Sequence, residues 1–186
     1  MTVMSNPLSN ALPTGSIKVW DLFVRVFHWS LALCVLLNFF VFEEGESLHE
    51  YSGYIACGLI SLRAIWGFIG TTYARFSNFW PTRRKLEDEV QTLLQGEIKT
   101  HIGHSPLGAL VMIIMVTCVA GLGLTGYLLE TDYFFGSDFM EEVHELIANF
   151  LMGVVELHVT AAILLGRLEN TNLIAAMVTG VKKFKP

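Results

Sequence analysis

The sequence predicts an all-α integral membrane protein, a bundle of four transmembrane helices, on the basis of its composition and its apolar stretches. Of the 186 residues, 53% are hydrophobic and only 16% are charged, and the mean hydropathy is +0.52. Soluble domains carry about 25% charged residues. Four apolar stretches lie at about 20–42, 48–70, 107–129 and 143–165. Each is close to the roughly 20 residues that cross a bilayer as a helix.

A polar segment, residues 1–17, precedes the first apolar stretch. It has neither a basic n-region nor a small-residue cleavage site, so the first span is expected to act as its own insertion signal. No repeat or low-complexity tract divides the chain, and residues 1–186 are predicted to form a single membrane domain. Cys34, Cys57 and Cys118 fall inside spans with no CxxC or CxxCH pattern, so they are expected to be packing residues.

The distribution of charge predicts the orientation in the membrane. The connections after spans one and three contain no Lys or Arg, and their acidic residues are Glu43, Glu44, Glu46, Glu50, Glu130, Asp132, Asp138, Glu141 and Glu142. Basic residues occupy the two ends and the middle connection, at Lys18, Arg75, Arg83, Arg84, Lys85, Lys99, Arg167, Lys182, Lys183 and Lys185. The positive-inside rule therefore places both termini in the cytoplasm. The acidic outer face either attracts a basic redox partner, such as a soluble cytochrome, or is only solvated.

The middle connection contains a second helical pattern at residues 81–98. Apolar residues recur there at helical spacing, at Leu86, Val90, Leu93, Leu94 and Ile98. This pattern predicts a short amphipathic helix on the cytoplasmic surface, between spans two and three. It either holds its arginines near anionic lipid headgroups or is a plain connecting helix.

The most informative residues are four histidines in or at the ends of the spans. Ionisable residues within spans are rare and costly, so each is a functional candidate. His144 and His158 lie fourteen residues apart in span four. They therefore point to nearly the same side of the helix and are separated by about 21 Å along its axis.

The other two histidines match these two depths. His28 lies about eight residues into span one, and His158 lies about eight residues before the cytoplasmic end of span four. His49 opens span two on the outer side, where His144 opens span four. Two pairs at two depths are what two six-coordinate haems require in a helix bundle. A di-metal site is disfavoured, because pairs about 21 Å apart cannot share a cluster.

Two arginines are candidate partners for haem propionates. Arg63 follows His49 by fourteen residues, so it faces the same way at the depth of the inner pair, where a buried cation needs an anion. Arg25 lies one turn before His28. The alternative for either arginine is that it extends to the membrane interface.

Glycines near the histidines allow two interpretations. Gly53, one turn after His49, either leaves room for a macrocycle or lets helices pack. The segment "GLGLTG" from Gly121 fits GxGxxG but lies inside span three without a βαβ unit. We therefore interpret it as helix packing rather than a nucleotide site.

Six ordered motifs resemble one known family. They are "VWDLFVRVFHW" from Val19, "HEYSGY" from His49, "RAIWG" from Arg63, "GHSPLGA" from Gly103, "HELIANFLMGVVELH" from His144 and "NLIAAMVTG" from Asn172. Together they resemble the prokaryotic cytochrome b561 and nickel-hydrogenase cytochrome b family from Lys18 to Lys183. The resemblance implies two b-type haems with His28, His49, His144 and His158 as axial ligands, in agreement with the depth argument.

The resemblance also implies partners and a location. Members pass electrons between the quinone pool, ubiquinone or menaquinone, and a partner outside the bacterial inner membrane, which is a hydrogenase, another reductase or a c-type cytochrome. One branch looks like a standalone superoxide oxidase that reduces ubiquinone, and the short chain is similar to that compact branch. Ser105 stands where the family usually has Asn before the proline. His104 and His101, at the mouth of span three, either contact a haem propionate or quinone, or cap the helix.

Three function classes follow. The first is an electron-transfer dihaem cytochrome b, and the second is an enzyme, a superoxide:quinone oxidoreductase. The acidic outer loops oppose the second, since an approaching anion meets carboxylates first. The third is a membrane scaffold or transporter whose histidines and arginines relay protons or bind a metal ion. The matched depths disfavour it.

Overall fold

A computed structural model describes residues 15–184. In chain order the elements are β1 (Gly15–Lys18), α1 (Leu22–Phe40), α2 (Ser47–Ile69), α3 (Phe76–Phe79), α4 (Arg83–Leu94), α5 (Pro106–Leu129), α6 (Asp138–Leu168), α7 (Leu173–Thr179) and β2 (Val181–Phe184). Four of the helices, α1, α2, α5 and α6, are long and apolar enough to cross a membrane. The prediction of a four-helix multi-pass membrane protein is confirmed.

Side-chain acceptors take up free backbone N–H groups at the start of α1, α5 and α7. The Asp21 carboxylate accepts a hydrogen bond from Val24 N at 2.9 Å and begins α1. Ser105 Oγ accepts one from Gly108 N at 3.1 Å and begins α5. Side-chain acceptors at this position satisfy N–H groups that the helix cannot bond itself. Ser105 therefore has a structural role as the N-cap.

α6 is longer than its apolar stretch. It begins at Asp138 and runs for 31 residues, whereas the hydropathy pattern predicts a span from residue 143. At 1.5 Å per residue the helix is about 46 Å long, so it extends well beyond a hydrocarbon core of roughly 30 Å. The acidic residues that precede His144 are thus helical and not part of a loop.

The bundle is held by contacts of α1 with α2, α2 with α5, and α5 with α6. Its central buried residues are Ala56 on α2, Cys118 and Val119 on α5, and Leu151 on α6. Gly123 of the GLGLTG segment lies directly against Cys57 Sγ, which confirms that small residues there let α5 pack closely on α2. Many other apolar side chains of the four helices are exposed, as expected for a surface covered by lipid.

Short elements cover one end of the bundle. β1 and β2 pair antiparallel, with Gly15 opposite Phe184 and Lys18 opposite Val181. This pairing joins the two ends of the described chain, so both lie on the same side of the bundle. Residues 1–14 of the predicted polar segment, and Lys185, lie outside the described residues.

The amphipathic helix predicted at residues 81–98 forms as α4, but it is shorter, Arg83–Leu94. Pro81 cannot donate a backbone hydrogen bond, and Gly96 adopts a positive φ of 76° that ends the helical path. The Arg83 side chain is 93% exposed and pairs with Glu87 on the same helix.

Lys182, one of the basic residues of the C-terminal end, is buried in an ion pair. Its Nζ lies 3.0 Å from Glu169 Oε2 and donates a hydrogen bond of 2.6 Å to the carbonyl oxygen of His101. The two charged side chains are only 6% and 8% exposed. This buried ion pair fastens β2 to the end of α6 and to the segment before α5.

Candidate cofactor site

The four span histidines come together as two pairs. The ring centres of His28 on α1 and His158 on α6 are 6.3 Å apart. Those of His49 on α2 and His144 on α6 are 6.2 Å apart. We call these the inner pair and the outer pair. α6 contributes one histidine to each, and their spacing along α6 separates the pairs by about 21 Å.

Both ring separations suit one metal ion between two imidazoles. An imidazole nitrogen binds a transition metal at about 2 Å, and the ring centre lies roughly 1 Å behind it, so two ligands on opposite sides of one ion have centres about 6 Å apart. Within residues 15–184, no group of three or more His, Cys, Asp or Glu side chains converges. Two axial imidazoles with no further protein ligand fit an iron whose other four positions are filled by a macrocycle.

Thr125 on α5 orients the outer pair. Thr125 is 7% exposed, and its Oγ1 lies 2.8 Å from His144 Nδ1. The hydroxyl also lies 3.0 Å from the carbonyl oxygen of Gly121, which can only accept its proton. Thr125 can therefore donate to Gly121 and accept from His144 Nδ1–H, which leaves Nε2 of His144 free to bind a metal.

The partner histidine, His49, has a different environment. Its Nδ1 is buried without a hydrogen-bond partner among the described residues, and so is Asn38 Oδ1. Asn38 Nδ2 donates a hydrogen bond of 3.3 Å to the His49 carbonyl oxygen. Gly53 faces this space, where an added Cβ would have Asn38 Nδ2 as its nearest neighbour at 3.9 Å. The open side of Gly53 is compatible with a large ligand beside His49.

Arg63 is buried at the inner end of α2, only 4% exposed. Its Nη2 donates a hydrogen bond of 3.0 Å to the Ala74 carbonyl oxygen, and its guanidinium lies 5.3 Å from the centre of the Phe76 ring. Nη1 is buried and has no hydrogen-bond partner among the described residues. A buried cation with a free N–H group is suited to an anionic ligand group.

His104 lies between two aromatic rings, with ring-centre distances of 4.6 Å to Trp20 and 4.8 Å to Phe79. Its Nδ1 is buried without a partner among the described residues. Burial, and to a smaller extent the charges of Arg63, His158 and His28, together lower the pKa of His104 to about 3. His104 is therefore a neutral imidazole that can donate one N–H but carries no charge at neutral pH.

Neither histidine before α5 caps that helix, which corrects one of the two roles expected for them. Ser105 is the cap, and Glu89 Oε2 accepts a second N–H, that of Leu107, at 2.9 Å. His101 Nε2 lies 3.6 Å from the other carboxylate oxygen of Glu89. His101 is thus part of the α4–α5 contact, whereas His104 faces the inner end of the bundle.

The Arg25 side chain contacts the C-terminal segment of the chain. Its Nη1 donates a hydrogen bond of 2.7 Å to the carbonyl oxygen of Val178, at the end of α7. Its Nε is buried without a partner among the described residues. The side chain packs near Gly180, whose φ of 83° turns the chain into β2. Arg25 therefore ties α1 to the C-terminal segment, three residues from His28.

Asp21 fixes the inner ends of α1 and α2 against each other. It accepts hydrogen bonds from Trp66 Nε1 at 3.1 Å and from Thr71 Oγ1 at 2.6 Å. Burial alone raises the pKa of Asp21, but the hydrogen bonds from Thr71, Val24 and Trp66 outweigh burial and hold its pKa below the ordinary 3.8. The carboxylate is thus charged at neutral pH and part of the frame around the inner pair.

Sequence reasoning missed three residues of this site: Thr125, Trp20 and Phe79. The sequence could have indicated Thr125, because a threonine inside an apolar span places a hydroxyl group at the depth of His144. It could not have indicated Trp20 and Phe79, because aromatic residues at span ends are common whether or not they surround a functional group.

Comparison with known proteins identifies the family of this chain. A family model described as prokaryotic cytochrome b561 matches residues 19–180. A relative from Rhizobium leguminosarum bv. viciae, named "Probable Ni/Fe-hydrogenase B-type cytochrome subunit", is 24% identical over 94% of this chain and 92% of its own length. A relative of the same name from Rhodobacter capsulatus is 24% identical over 91% of this chain and 82% of its own length. No solved structure matches this chain. The chain belongs to the prokaryotic cytochrome b561 family.

Proposed function

We propose that this b-type cytochrome holds two haems and carries electrons across the membrane between a quinone and a redox partner on the outer side. The observation that carries the proposal is the inner pair and the outer pair of histidines, with ring centres 6.3 Å and 6.2 Å apart. His28 and His158 are the axial ligands of the inner haem, and His49 and His144 those of the outer haem. When bound, each haem supplies a one-electron redox centre, and the protein sets its potential and position.

Positive charge at the inner pair suits the haem propionates. Arg63 presents a buried N–H group without a partner among the described residues, and so does Arg25. His104, neutral and held between two rings, donates a hydrogen bond either to a propionate or to a quinone, ubiquinone or menaquinone. Cations near a haem stabilise its reduced state, so Arg63 and Arg25 raise the potential of the inner haem.

The space between the two pairs is apolar. Leu151 on α6 and Ala56 on α2 are buried there, with Val155 packed against them. The chain therefore keeps water and charge out of the region between the two iron sites and holds them at a fixed separation.

The redox partner is proposed from the outer face and from the relatives. The outer connections carry carboxylates and no Lys or Arg, which favours a partner with a basic surface. Two relatives are named as hydrogenase cytochrome subunits, so a hydrogenase is one candidate, and a c-type cytochrome or another reductase subunit is the other. The same carboxylates disfavour superoxide as a substrate.

In this proposal the membrane is the bacterial inner membrane, with both termini in the cytoplasm. The location of Arg75, Arg83, Arg84 and Lys99 at the end where both termini meet supports this orientation through the positive-inside rule. Reporter fusions at either end test it, since a periplasmic reporter such as alkaline phosphatase should stay inactive.

The proposal is tested by purifying the full chain and measuring its absorbance spectrum and its haem content per polypeptide. We expect a reduced b-type spectrum and two haems per chain. Absence of a b-type spectrum, or one haem per chain at saturating haem supply, would contradict the proposal.

A further inference from the structure

The outward face of α6 carries a line of mostly polar residues, interrupted by Gly153 and Ile163, that the proposed function does not use. These residues, which we call the α6 polar stripe, are Asp138, Glu142, Glu145, Asn149, Gly153, Glu156, Thr160 and Arg167. All of them are exposed. Spaced three, four or seven residues apart, they fall within an arc of about 80° around the helix axis.

The stripe faces away from the bundle. His158 points about 180° and His144 about 140° away from its centre, toward α1 and α2. A different pattern holds on α1, whose exposed residues are all apolar or aromatic: Leu22, Val26, Trp29, Leu33, Leu36, Phe39 and Phe40. α6 also exposes apolar residues beside the stripe, such as Phe150, Leu157 and Leu164. The outer surface of α1 therefore suits lipid throughout, whereas on α6 the stripe is a polar strip between lipid-facing residues.

The middle of the stripe lies at the depth of the hydrocarbon. Asn149, Gly153, Glu156 and Thr160 fall within the apolar stretch 143–165. Among the described residues, Glu156 forms neither a salt bridge nor a side-chain hydrogen bond, and Asn149 makes only a long one of 3.4 Å to Glu145. A carboxyl group in either protonation state needs a hydrogen-bond partner where water is absent. Lipid alone therefore leaves the polar groups on this face without hydrogen-bond partners.

We propose that the α6 polar stripe binds a transmembrane helix of a second protein, which places a basic side chain opposite Glu156. The side chains of Glu156 and Asn149 present oxygen acceptors, and a basic group donates to them and neutralises the carboxylate. Gly153, one turn from each, has no neighbouring atom within 4 Å of where a Cβ would lie, so the partner helix can approach the α6 backbone closely.

Charge decides between such a partner and a second copy of this chain. A symmetric dimer puts the same patch on both sides of its two-fold axis. Glu156 would then face Glu156, and the stripe carries four carboxylates against one arginine. Like charges brought together at low dielectric repel strongly. The stripe is self-repelling and complementary to a basic helix. The inference needs only that α6 crosses the membrane and is independent of haem ligation.

The test uses the full chain in the membranes of its own host. A photo-crosslinking amino acid replaces Gly153 or Thr160 on the stripe, and Leu33 on α1 as the matched lipid-facing control. We expect crosslinks from the two stripe positions to a membrane-spanning peptide of another protein that contains a Lys, Arg or His, and no protein crosslink from Leu33. Crosslinks to a second copy, to a soluble domain, to a span without a basic residue, or to lipid alone would overturn the proposal.

A second measurement needs no native partner. The chain is reconstituted in vesicles with a labelled Leu/Ala transmembrane peptide that carries one Lys at the depth of Glu156, or none. We expect the Lys peptide to associate about threefold to thirtyfold more strongly, the range of hydrogen bonds within membranes. Glu156→Leu should abolish the difference and Glu156→Gln reduce it, whereas Thr117→Leu, on the exposed side of α5, should preserve it. Equal association of the two peptides contradicts the proposal.

Discussion

Replacing Thr125 by valine removes one hydroxyl group from the outer pair while keeping the shape of the side chain. In the native protein the hydroxyl lies 2.8 Å from His144 Nδ1 and 3.0 Å from the Gly121 carbonyl oxygen. For His144 to bind iron through Nε2, Nδ1 must carry the proton and Thr125 must accept it. Thr125→Val therefore leaves a buried N–H without an acceptor.

The cost follows from that lost acceptor. A buried donor left unsatisfied costs about 1–3 kcal/mol. Since about 1.4 kcal/mol corresponds to tenfold in affinity, haem binding at the outer pair should weaken about fivefold to 150-fold. Loss of the acceptor also makes the imidazole a weaker electron donor to iron. The midpoint potential of the outer haem should therefore rise, and that of the inner haem should stay unchanged.

The assay is a potentiometric titration of both haems, followed by absorbance, together with haem content per chain. Thr117→Val is the matched control, because Thr117 Oγ1 donates to the Ile113 carbonyl oxygen at 2.9 Å on the same helix but is exposed and contacts no histidine. Thr125→Ser, which keeps the hydroxyl, should resemble the wild type, and Thr125→Ala should resemble Thr125→Val. If Thr125→Val and Thr117→Val give the same two potentials, the assigned role of Thr125 is wrong.

Three further perturbations test the inner end. Arg63→Leu should lower the potential of the inner haem or its occupancy in a redox titration, because a buried cation is lost; the exposed Arg83→Leu should do neither. Asp21→Asn should lower the thermal stability above pH 3.8. The difference in stability between wild type and variant should shrink as the pH falls below 3.8, because the folded-state pKa of Asp21 lies below that value. A difference that stays constant with pH would refute this. Lys182→Met leaves the buried carboxylate of Glu169 without its cation and should lower the unfolding free energy by about 3–5 kcal/mol. Lys183→Met, at an exposed site, should lower it far less.

The membrane helices were predictable from sequence, because lipid imposes a length and an apolar composition on each span. The predicted stretch 107–129 differs from α5 (Pro106–Leu129) by one residue. The start of α6 was missed by five residues, since hydropathy reports where the lipid ends and not where the helix ends. Its acidic first turns remain helical in water, where carboxylates near a helix N-terminus are favourable.

The β1–β2 pairing was not predictable. Each strand has four residues and the two lie at opposite ends of the chain, so no local pattern indicates that they meet. The proximity within the two histidine pairs was predictable, because helical spacing and span direction fix depth. The environment of Arg25 was not, because its partner, the Val178 carbonyl oxygen, belongs to α7, whose position depends on that same long-range pairing.

The central claim is that four histidines form two separate axial pairs, and its most direct test is haem content and potential in single histidine variants. His158→Ala and His28→Ala should each lose the same haem, and His144→Ala and His49→Ala should each lose the other. The one haem left in each variant should keep its wild-type potential. If His28→Ala and His144→Ala instead remove the same haem, or if any single variant removes both haems while the protein stays folded, the pairing is contradicted.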